Sequence, residues 1–318
     1  MKKFFVCIVL CELLGTAWSL PPERGILVMA HGGTKRWNGM VNDCVKKARP
    51  AYPIRVFFGM GCTKKEADDL QHQIQQLESQ GVRSIVVIPL AVSSYSEVYR
   101  QWRYLLGLQA QPGFDAKLMA EMMRHTHGEM GAMEAVAPVK PHVSVYFPAA
   151  LDDDTVVSDI LLQRAREMSR KPADETVMIV AHGPNQDPDN QRWLDNLQRI
   201  ATAMKQRGPF QQVEGATLRD DAPPWVRDHA VQTLRNRVTR LDRQGRRVLV
   251  VPLLMAPGGI ENKIDEALKG LPYSFNAKTL LPDPKMAEWV RQRSTHPLQE
   301  TSVPAWRLLS GPNAGSTN

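Results

Sequence analysis

The stretch Ile26-Leu-Val-Met-Ala-His31-Gly32-Gly33 decides the fold, because the chain repeats it as Val177-Met-Ile-Val-Ala-His182-Gly183-Pro184. Each copy is an apolar run that stops at a histidine and a glycine. This pattern is typical of a buried strand that carries an imidazole at its carboxyl end. Two copies of one structural unit are the simplest interpretation.

The segments that follow each copy keep the same order. Gln80-Gly81 leads into the apolar run from Ser84 to Leu90, and Gln244-Gly245 leads into the run from Val248 to Leu254. Apolar runs alternate with helical patterns, which indicates parallel sheets covered on both faces. The sequence therefore predicts an α/β protein with two similar three-layer α/β/α domains. Each domain has a parallel four-stranded sheet, and the last strand of the second copy is expected near Thr279 to Leu281.

Composition and charge limit the classes of partner. The 318 residues are 43% hydrophobic, and the formal charge of +7 comes from 40 Lys plus Arg against 33 Asp plus Glu. The basic residues form no long block and do not alternate with aromatic residues, so nucleic acid is not an expected partner. An acidic small ligand needs only a local basic patch.

The first residues resemble a secretory signal peptide. Lys2 and Lys3 precede the apolar stretch from Phe4 to Leu10, and Ala17-Trp18-Ser19 forms a small-x-small site. Residues 1–19 are therefore predicted to be a signal peptide, and the protein to be secreted or periplasmic. An uncleaved anchor is the alternative, although the stretch is short for a membrane span and an integral membrane protein is not expected.

The remaining chain divides into two predicted domains and a tail. Residues 20–172 form the first domain, residues 173–298 the second, and residues 299–318 a flexible tail rich in small and polar residues. The first domain carries a Met- and His-rich insertion at 117–140. This insertion either ligates a soft metal such as copper, nickel or cobalt, or forms an amphipathic helix whose methionines fill a gap.

The cysteines allow two interpretations. Cys44 and Cys62 are the only two that follow the predicted signal peptide. They form a disulfide, which an exported protein tolerates, or they are two buried free thiols. No Cys-x-x-Cys pattern is present, so a thiolate metal site has little support.

The segment after the third strand of each copy contains a glutamate, Glu97 in the first and Glu261 in the second. If the first and third strands are neighbours, His31 and Glu97 reach one rim, and His182 and Glu261 reach its counterpart. A neutral imidazole beside a carboxylate can bind a divalent metal or accept a proton. Each glutamate could instead simply begin a helix, where the helix dipole favours it. The same placement in both copies favours a functional role.

Several motifs of the two copies resemble those of a known family. The strand ending in His-Gly, the Gln-Gly segment before the third strand, and the turns Phe147-Pro-Ala-Ala150 and Leu281-Pro-Asp283 are similar to those of the CbiX-type sirohydrochlorin cobaltochelatases. These are class II chelatases, related in fold to ferrochelatase. The resemblance covers residues 25–166 and 176–291.

The resemblance implies that Co²⁺, or Fe²⁺ or Ni²⁺, is inserted without nucleotide into a tetrapyrrole bound between the two halves. The family's first histidine corresponds to His31 and His182, and Glu97 and Glu261 correspond to the glutamate in the His-x-Glu motif of the related ferrochelatases. These four residues are the predicted catalytic and metal-binding set. The family's second histidine is absent from both copies, where the loops read Tyr95-Ser96-Glu97 and Gly259-Ile260-Glu261. The alternative function is an exported protein that binds metal or tetrapyrrole and has lost catalysis.

Two other enzyme classes are excluded by their motifs. A phosphohistidine enzyme needs an arginine before the His-Gly pair, but Ala30 and Ala181 stand there. No nucleotide-binding GxxxxGK[ST] motif occurs. The carboxylates of a tetrapyrrole would need basic partners on the rim, and the candidates are Lys35, Arg36, Arg100 and Lys263.

Overall fold

A computed structural model describes residues 23–60, 62–110 and 136–295, together with the backbone of residues 301–303. The predicted signal peptide, the stretch from Met119 to Met133 and the end of the tail lie outside the described residues. The domain boundaries given by the sequence remain predictions.

The first half is a parallel sheet in the order β2-β1-β3-β4. Its strands are β1 (Arg24–Ala30), β2 (Ile54–Phe58), β3 (Ser84–Leu90) and β4 (Ser144–Phe147), and its helices are α1 (Lys35–Ala48), α2 (Lys64–Glu78) and α3 (Glu97–Leu105). A short fifth strand, β9 (Thr301–Val303), pairs antiparallel with β4 and lies within the predicted tail.

The second half repeats this arrangement in the order β6-β5-β7-β8. Its strands are β5 (Glu175–Ala181), β6 (Gln212–Thr217), β7 (Arg247–Leu253) and β8 (Ser274–Phe275). The helices from this part of the chain onward are α4 (Thr155–Met168), α5 (Asp187–Arg207), α6 (Pro224–Arg243), α7 (Ile260–Leu268) and α8 (Pro284–Thr295). The equivalent strand order confirms the predicted α/β fold with two similar parallel four-stranded sheets.

Burial explains why the repeated apolar runs form central strands. Residues 26–30 of β1 and 177–181 of β5 are 0% exposed. Each run lies between two neighbouring strands with helices on both faces, so every side chain along it is apolar rather than every second one. Removing this apolar surface from water is the main stabilising contribution of the sheets.

The last helix of each half packs on the other half. Helix α4 follows β4 but contacts β7 and α5, whereas α8, at the end of the second half, contacts α1 and β3. Apolar residues from the inner faces of both sheets therefore form one continuous core, to which α8 contributes Met286, Trp289 and Val290. This exchange fixes the two halves against each other.

The structure differs from the sequence prediction at one strand, and it decides between the two interpretations of the cysteines. The strand predicted near Thr279 to Leu281 is not formed, because this segment bonds to the loop after β7: the N–H groups of Leu280 and Leu281 donate to the carbonyls of Leu254 and Met255. The short strand β8 pairs with β7 instead.

Cys44 and Cys62 are free and buried, and burial raises the pKa of each thiol to about 12. Within the described residues, no helix combines the length and apolar character that a membrane crossing requires.

Candidate metal and ligand cavity

The repeated histidines lie where two equivalent strands end. Ala30 pairs with Leu90 and Ala181 pairs with Leu253, so His31 and His182 follow directly at the carboxyl edge of their sheets. The next residue has a positive φ in both copies, +81° at Gly32 and +78° at Gly183. A Cβ on Gly183 would lie 2.6 Å from the Cβ of Thr217. The His-Gly pairing is therefore a backbone requirement of this turn.

A cavity of about 660 Å³ lies between the two halves at these carboxyl edges. His31, Glu97 and His182 all line it, so the structure brings together three of the four predicted site residues. The volume is within the range of about 300–1,000 Å³ typical of small-molecule sites. Most of the wall is apolar and comes from both halves, including Trp37, Leu90, Trp102, Trp193, Leu253 and Met255.

His182 is the histidine with the more elaborate surroundings. Its Nδ1 lies 2.8 Å from the carbonyl oxygen of Gly183, which assigns the Nδ1 proton to that bond and directs Nε2 toward Asp221 at 3.2 Å. Burial would lower the pKa of His182, but the hydrogen bond and charge of Asp221 outweigh it and raise the pKa. The hydrogen bond from His182 in turn lowers the pKa of Asp221.

Asp220 completes a set of potential metal ligands. One ligand atom from each of His182, Asp220 and Asp221 lies within 4.8 Å of the other two. Among the residues that the structure describes, this is the only group of three or more His, Cys, Asp or Glu side chains so placed. An imidazole nitrogen with two carboxylates suits an exchangeable divalent ion of the first transition row.

Arg219 connects the two loops that carry the cluster, the loop after β6 and the loop that carries His182. Its backbone N–H donates to the carbonyl of His182 at 2.6 Å, and its φ of +55° turns the chain toward the site. Its buried guanidinium donates to the carbonyls of Pro184 and Asn185 at 3.0 and 2.5 Å, and pairs with Asp187 at 2.6 Å. The loop after β6 is thereby tied to the loop that carries His182.

His31 has different surroundings in the first half. Its Nδ1 also lies close to a backbone carbonyl, 2.6 Å from Gly32, so its Nε2 is the nitrogen left for other partners. Its ring lies 6.2 Å from that of Trp37. The loop after β2, equivalent to the loop that carries Asp220 and Asp221, contributes Met60, which is 59% exposed and lines the cavity. The two halves thus face the cavity with different chemistry.

The two predicted glutamates have separate roles in the structure. Glu97 Oε1 accepts a hydrogen bond of 2.9 Å from the backbone N–H of Asn185, which connects the first half to the His182 loop. Glu261 does not line the cavity: its Oε2 accepts from the N–H groups of Gly258 and Gly259 at 3.2 and 3.0 Å. The carboxylate that contacts His182 is Asp221 instead, and the metal role assigned to Glu261 stays a prediction.

Asp220 and Asp221 could have been found from the sequence. They follow a short strand, Gln212–Thr217, that lies beside the His182 strand in a parallel sheet. Parallel strands end at the same edge, so a carboxylate just after β6 must lie near the residue just after β5. The signal is weak because β6 contains Gln, Glu and Gly in place of a continuous apolar run.

Of the basic rim candidates, two are already paired with acidic side chains. Arg100 forms an ion pair with Asp189 and Lys263 forms one with Asp220. Lys35 and Arg36 are exposed in the first turn of α1, beside the cavity residues Gly33 and Thr34.

Two wall residues carry polar atoms that lack a partner. Gln101 and Trp193 are 4% and 5% exposed, and Gln101 Oε1 and Trp193 Nε1 have no hydrogen-bond partner among the described residues. An unpaired buried polar group costs free energy, so both atoms favour a ligand or water with complementary groups. One is an acceptor from the first half, and the other is a donor from the second.

Comparisons with known proteins agree with this architecture. Residues 176–296 match the family model CbiX. The solved structure of SirB from Bacillus subtilis with Fe³⁺ is similar at a TM-score of 0.56 and 17% identity, covering 86% of this chain and 95% of SirB. DR2241 from Deinococcus radiodurans is described as a multi-domain protein with structural similarity to chelatases. It gives a TM-score of 0.48 at 17% identity, covering 84% of this chain and 53% of DR2241. A sequence search of curated proteins finds no match.

Proposed function

We propose that this protein, whose second half is a CbiX-family domain within a chelatase-like fold, takes up a divalent metal ion at His182, Asp220 and Asp221 and delivers it into a tetrapyrrole bound in the cavity. The observation that carries the proposal is the position of this ligand set at one edge of a mostly apolar cavity between two repeated halves. Co²⁺ is the expected substrate metal, with Fe²⁺ and Ni²⁺ as alternatives, and no nucleotide is required.

The ligand set supports transfer rather than permanent storage. Asp221 is exposed, with 62% of its side chain accessible, so the metal site is open to solvent and to the cavity. Nitrogen and oxygen ligands bind a first-row divalent ion without the strong thiolate bonds that would retain it. The metal is the substrate of the reaction, and a site that releases it is what insertion requires.

Insertion also requires a base. Two pyrrole N–H protons must leave the macrocycle as the divalent ion enters, so the overall charge of the complex is conserved. His31 lines the cavity from the other half, and its Nδ1 contacts the Gly32 carbonyl, so Nε2 is the nitrogen left to act as a base. We assign His31 the role of accepting one of these two protons, as a neutral imidazole can, and the other proton leaves to solvent water.

The test is a metal-insertion assay with sirohydrochlorin and Co²⁺, without ATP, followed by the absorption change of the macrocycle. The protein should exceed the protein-free rate, and His182→Ala should return the rate to that background. His142→Ala is a matched control, because His142 is exposed and pairs with Glu78 away from the cavity. A wild-type rate equal to background, with metal or macrocycle still bound, would favour the alternative of a binding protein without catalysis.

We also propose export, on the sequence of residues 1–19 alone. Expression in a bacterial host followed by fractionation and N-terminal sequencing tests it. A mature protein that begins near Leu20 in the periplasmic fraction is the expected result, and an intact N-terminus in the cytosol would contradict it.

A further inference from the structure

One of the three candidate metal ligands is already occupied by a cation of the protein itself. The Lys263 ammonium forms an ion pair with Asp220 Oδ2. The Asp220 side chain is only 11% exposed, whereas that of Lys263 is 53% exposed. The carboxylate is therefore held in place while its partner can leave toward solvent.

The start of helix α7 positions Lys263 near Asp220. Helix α7 begins after Gly259, whose φ of +107° is left-handed, and Lys263 lies in the first turn. Glu261 fixes this turn by accepting the N–H groups of Gly258 and Gly259. The glutamate that the sequence assigned to metal binding thus shapes the helix start from which Lys263 reaches Asp220.

A divalent ion at His182, Asp220 and Asp221 would place two cations at the same carboxylate. The repulsion between them weakens metal binding, and the ammonium must move away before Asp220 can act as a full ligand. In the metal-free protein, the same ammonium offsets the repulsion between two neighbouring carboxylates.

We propose that Lys263 is an internal cation that competes with the metal ion for Asp220 and so keeps the metal exchangeable. The inference rests on the proposed function, because it concerns the same site. It assigns to Lys263 a part in metal release, in place of the sequence-based suggestion that this lysine binds a tetrapyrrole carboxylate.

If the Lys263–Asp220 ion pair had only a structural role, a different result would be expected. Surface ion pairs contribute little to stability, and removing one that has no other role would leave metal affinity unchanged. Competition predicts that losing the ammonium tightens metal binding, whereas most substitutions beside a ligand weaken it. The sign of the change therefore separates the two explanations.

The experiment compares Lys263→Gln with wild type in a competition titration of Co²⁺ and of Zn²⁺ against a chromophoric chelator, with dissociation followed by stopped flow. We expect affinity to rise roughly three- to tenfold, dissociation to slow by a similar factor, and the difference to shrink at high salt. Lys263→Arg keeps the charge and should behave as wild type. Lys269→Gln is the matched control, since Lys269 is an exposed lysine just after the same helix, paired with Glu266 at 3.8 Å.

The outcomes separate this inference from the function on which it rests. Wild-type binding with unchanged or weaker affinity in Lys263→Gln would overturn the competition and leave the metal site in place. An absence of divalent binding in both wild type and Lys263→Gln would overturn the proposed function, and this inference with it. Equally tighter binding in Lys263→Gln and Lys269→Gln would show a general charge effect and contradict a specific role for Lys263.

Discussion

His182 Nε2 lies 3.2 Å from Asp221 Oδ2, and the two residues extend from the carboxyl edges of adjacent parallel strands. This contact is where the repeated His-Gly motif acquires a specific chemistry. The second half combines an imidazole with two carboxylates, whereas the equivalent loop of the first half brings Met60 to the cavity. One fold repeated twice therefore yields a half with a candidate set of metal ligands and a half with different chemistry.

The His182–Asp221 contact predicts that metal binding at the proposed site depends on pH. Asp221 raises the pKa of His182 against the opposing effect of burial, so the proton stays on the imidazole to higher pH than in a free histidine. A metal ion must displace that proton, and Zn²⁺ affinity should therefore rise with pH over a range displaced above that of an ordinary histidine. Calorimetric titrations in two buffers of different ionisation enthalpy measure the protons released. Affinity that does not vary over this range would contradict the assignment of His182 as a ligand.

The two histidines should differ in their effect on metal affinity. His182→Ala removes a ligand and should weaken Co²⁺ binding by more than the roughly 10- to 100-fold that loss of an outer hydrogen-bond partner costs. His31→Ala should leave Co²⁺ affinity within about threefold of wild type and lower only the insertion rate, since a lost general base costs about 10²–10⁴ in rate. Titration of both variants with Co²⁺, beside the insertion assay, makes the comparison. Equal loss of affinity in both variants would show a metal shared between the halves.

Arg219 should be important for stability as well as for the site. Arg219→Met leaves the carbonyls of Pro184 and Asn185 without their donor, and Asp187 without its cation. We expect a loss of roughly 3 kcal/mol in the free energy of unfolding, measured by urea denaturation. Arg227→Met is the control, because the Arg227 side chain is 41% exposed and its ion pair among the described residues is with its neighbour Asp228. A loss of less than about 1 kcal/mol in Arg219→Met would show that the loops hold without it.

Asp154 should fix the exchanged helix α8 to the first half. Its side chain accepts from Val156 N and Trp289 Nε1, both at 3.0 Å, and pairs with Arg293. Asp154→Ala removes a helix cap and leaves two buried donors, so we expect a loss of roughly 2–4 kcal/mol. Asp153→Ala is the adjacent control, since Asp153 pairs with the more exposed Arg199. Thermal unfolding of the two variants gives the comparison, and equal melting temperatures would contradict the anchoring role.

The sequence predicts the sheets well because their central strands are nearly continuous apolar runs. Residues 26–30 and 177–181 can only be buried, and the His-Gly turn after each fixes where the strand ends. The repeat therefore correctly places His31 and His182 at the carboxyl edges of their respective sheets.

The parts that the sequence did not predict depend on contacts that no residue pattern specifies. Glu261 has the spacing expected of a site residue, yet its carboxylate accepts hydrogen bonds from the backbone N–H groups of Gly258 and Gly259 in its own turn. Asp221 follows a strand with a weak apolar pattern and reaches His182 only through sheet pairing. The exchange of α4 and α8 between the halves leaves no periodic signal, because an amphipathic helix does not specify which sheet it covers.

The proposed function requires the metal ion to bind at the second half of the chain. Crystals of the protein soaked in Co²⁺, with diffraction measured at the cobalt absorption edge, locate that ion directly. The predicted result is an anomalous peak roughly 2 Å from His182 Nε2 and from an oxygen of Asp221, at the edge of the cavity. A peak on His31 alone, or no peak at either histidine, would contradict it.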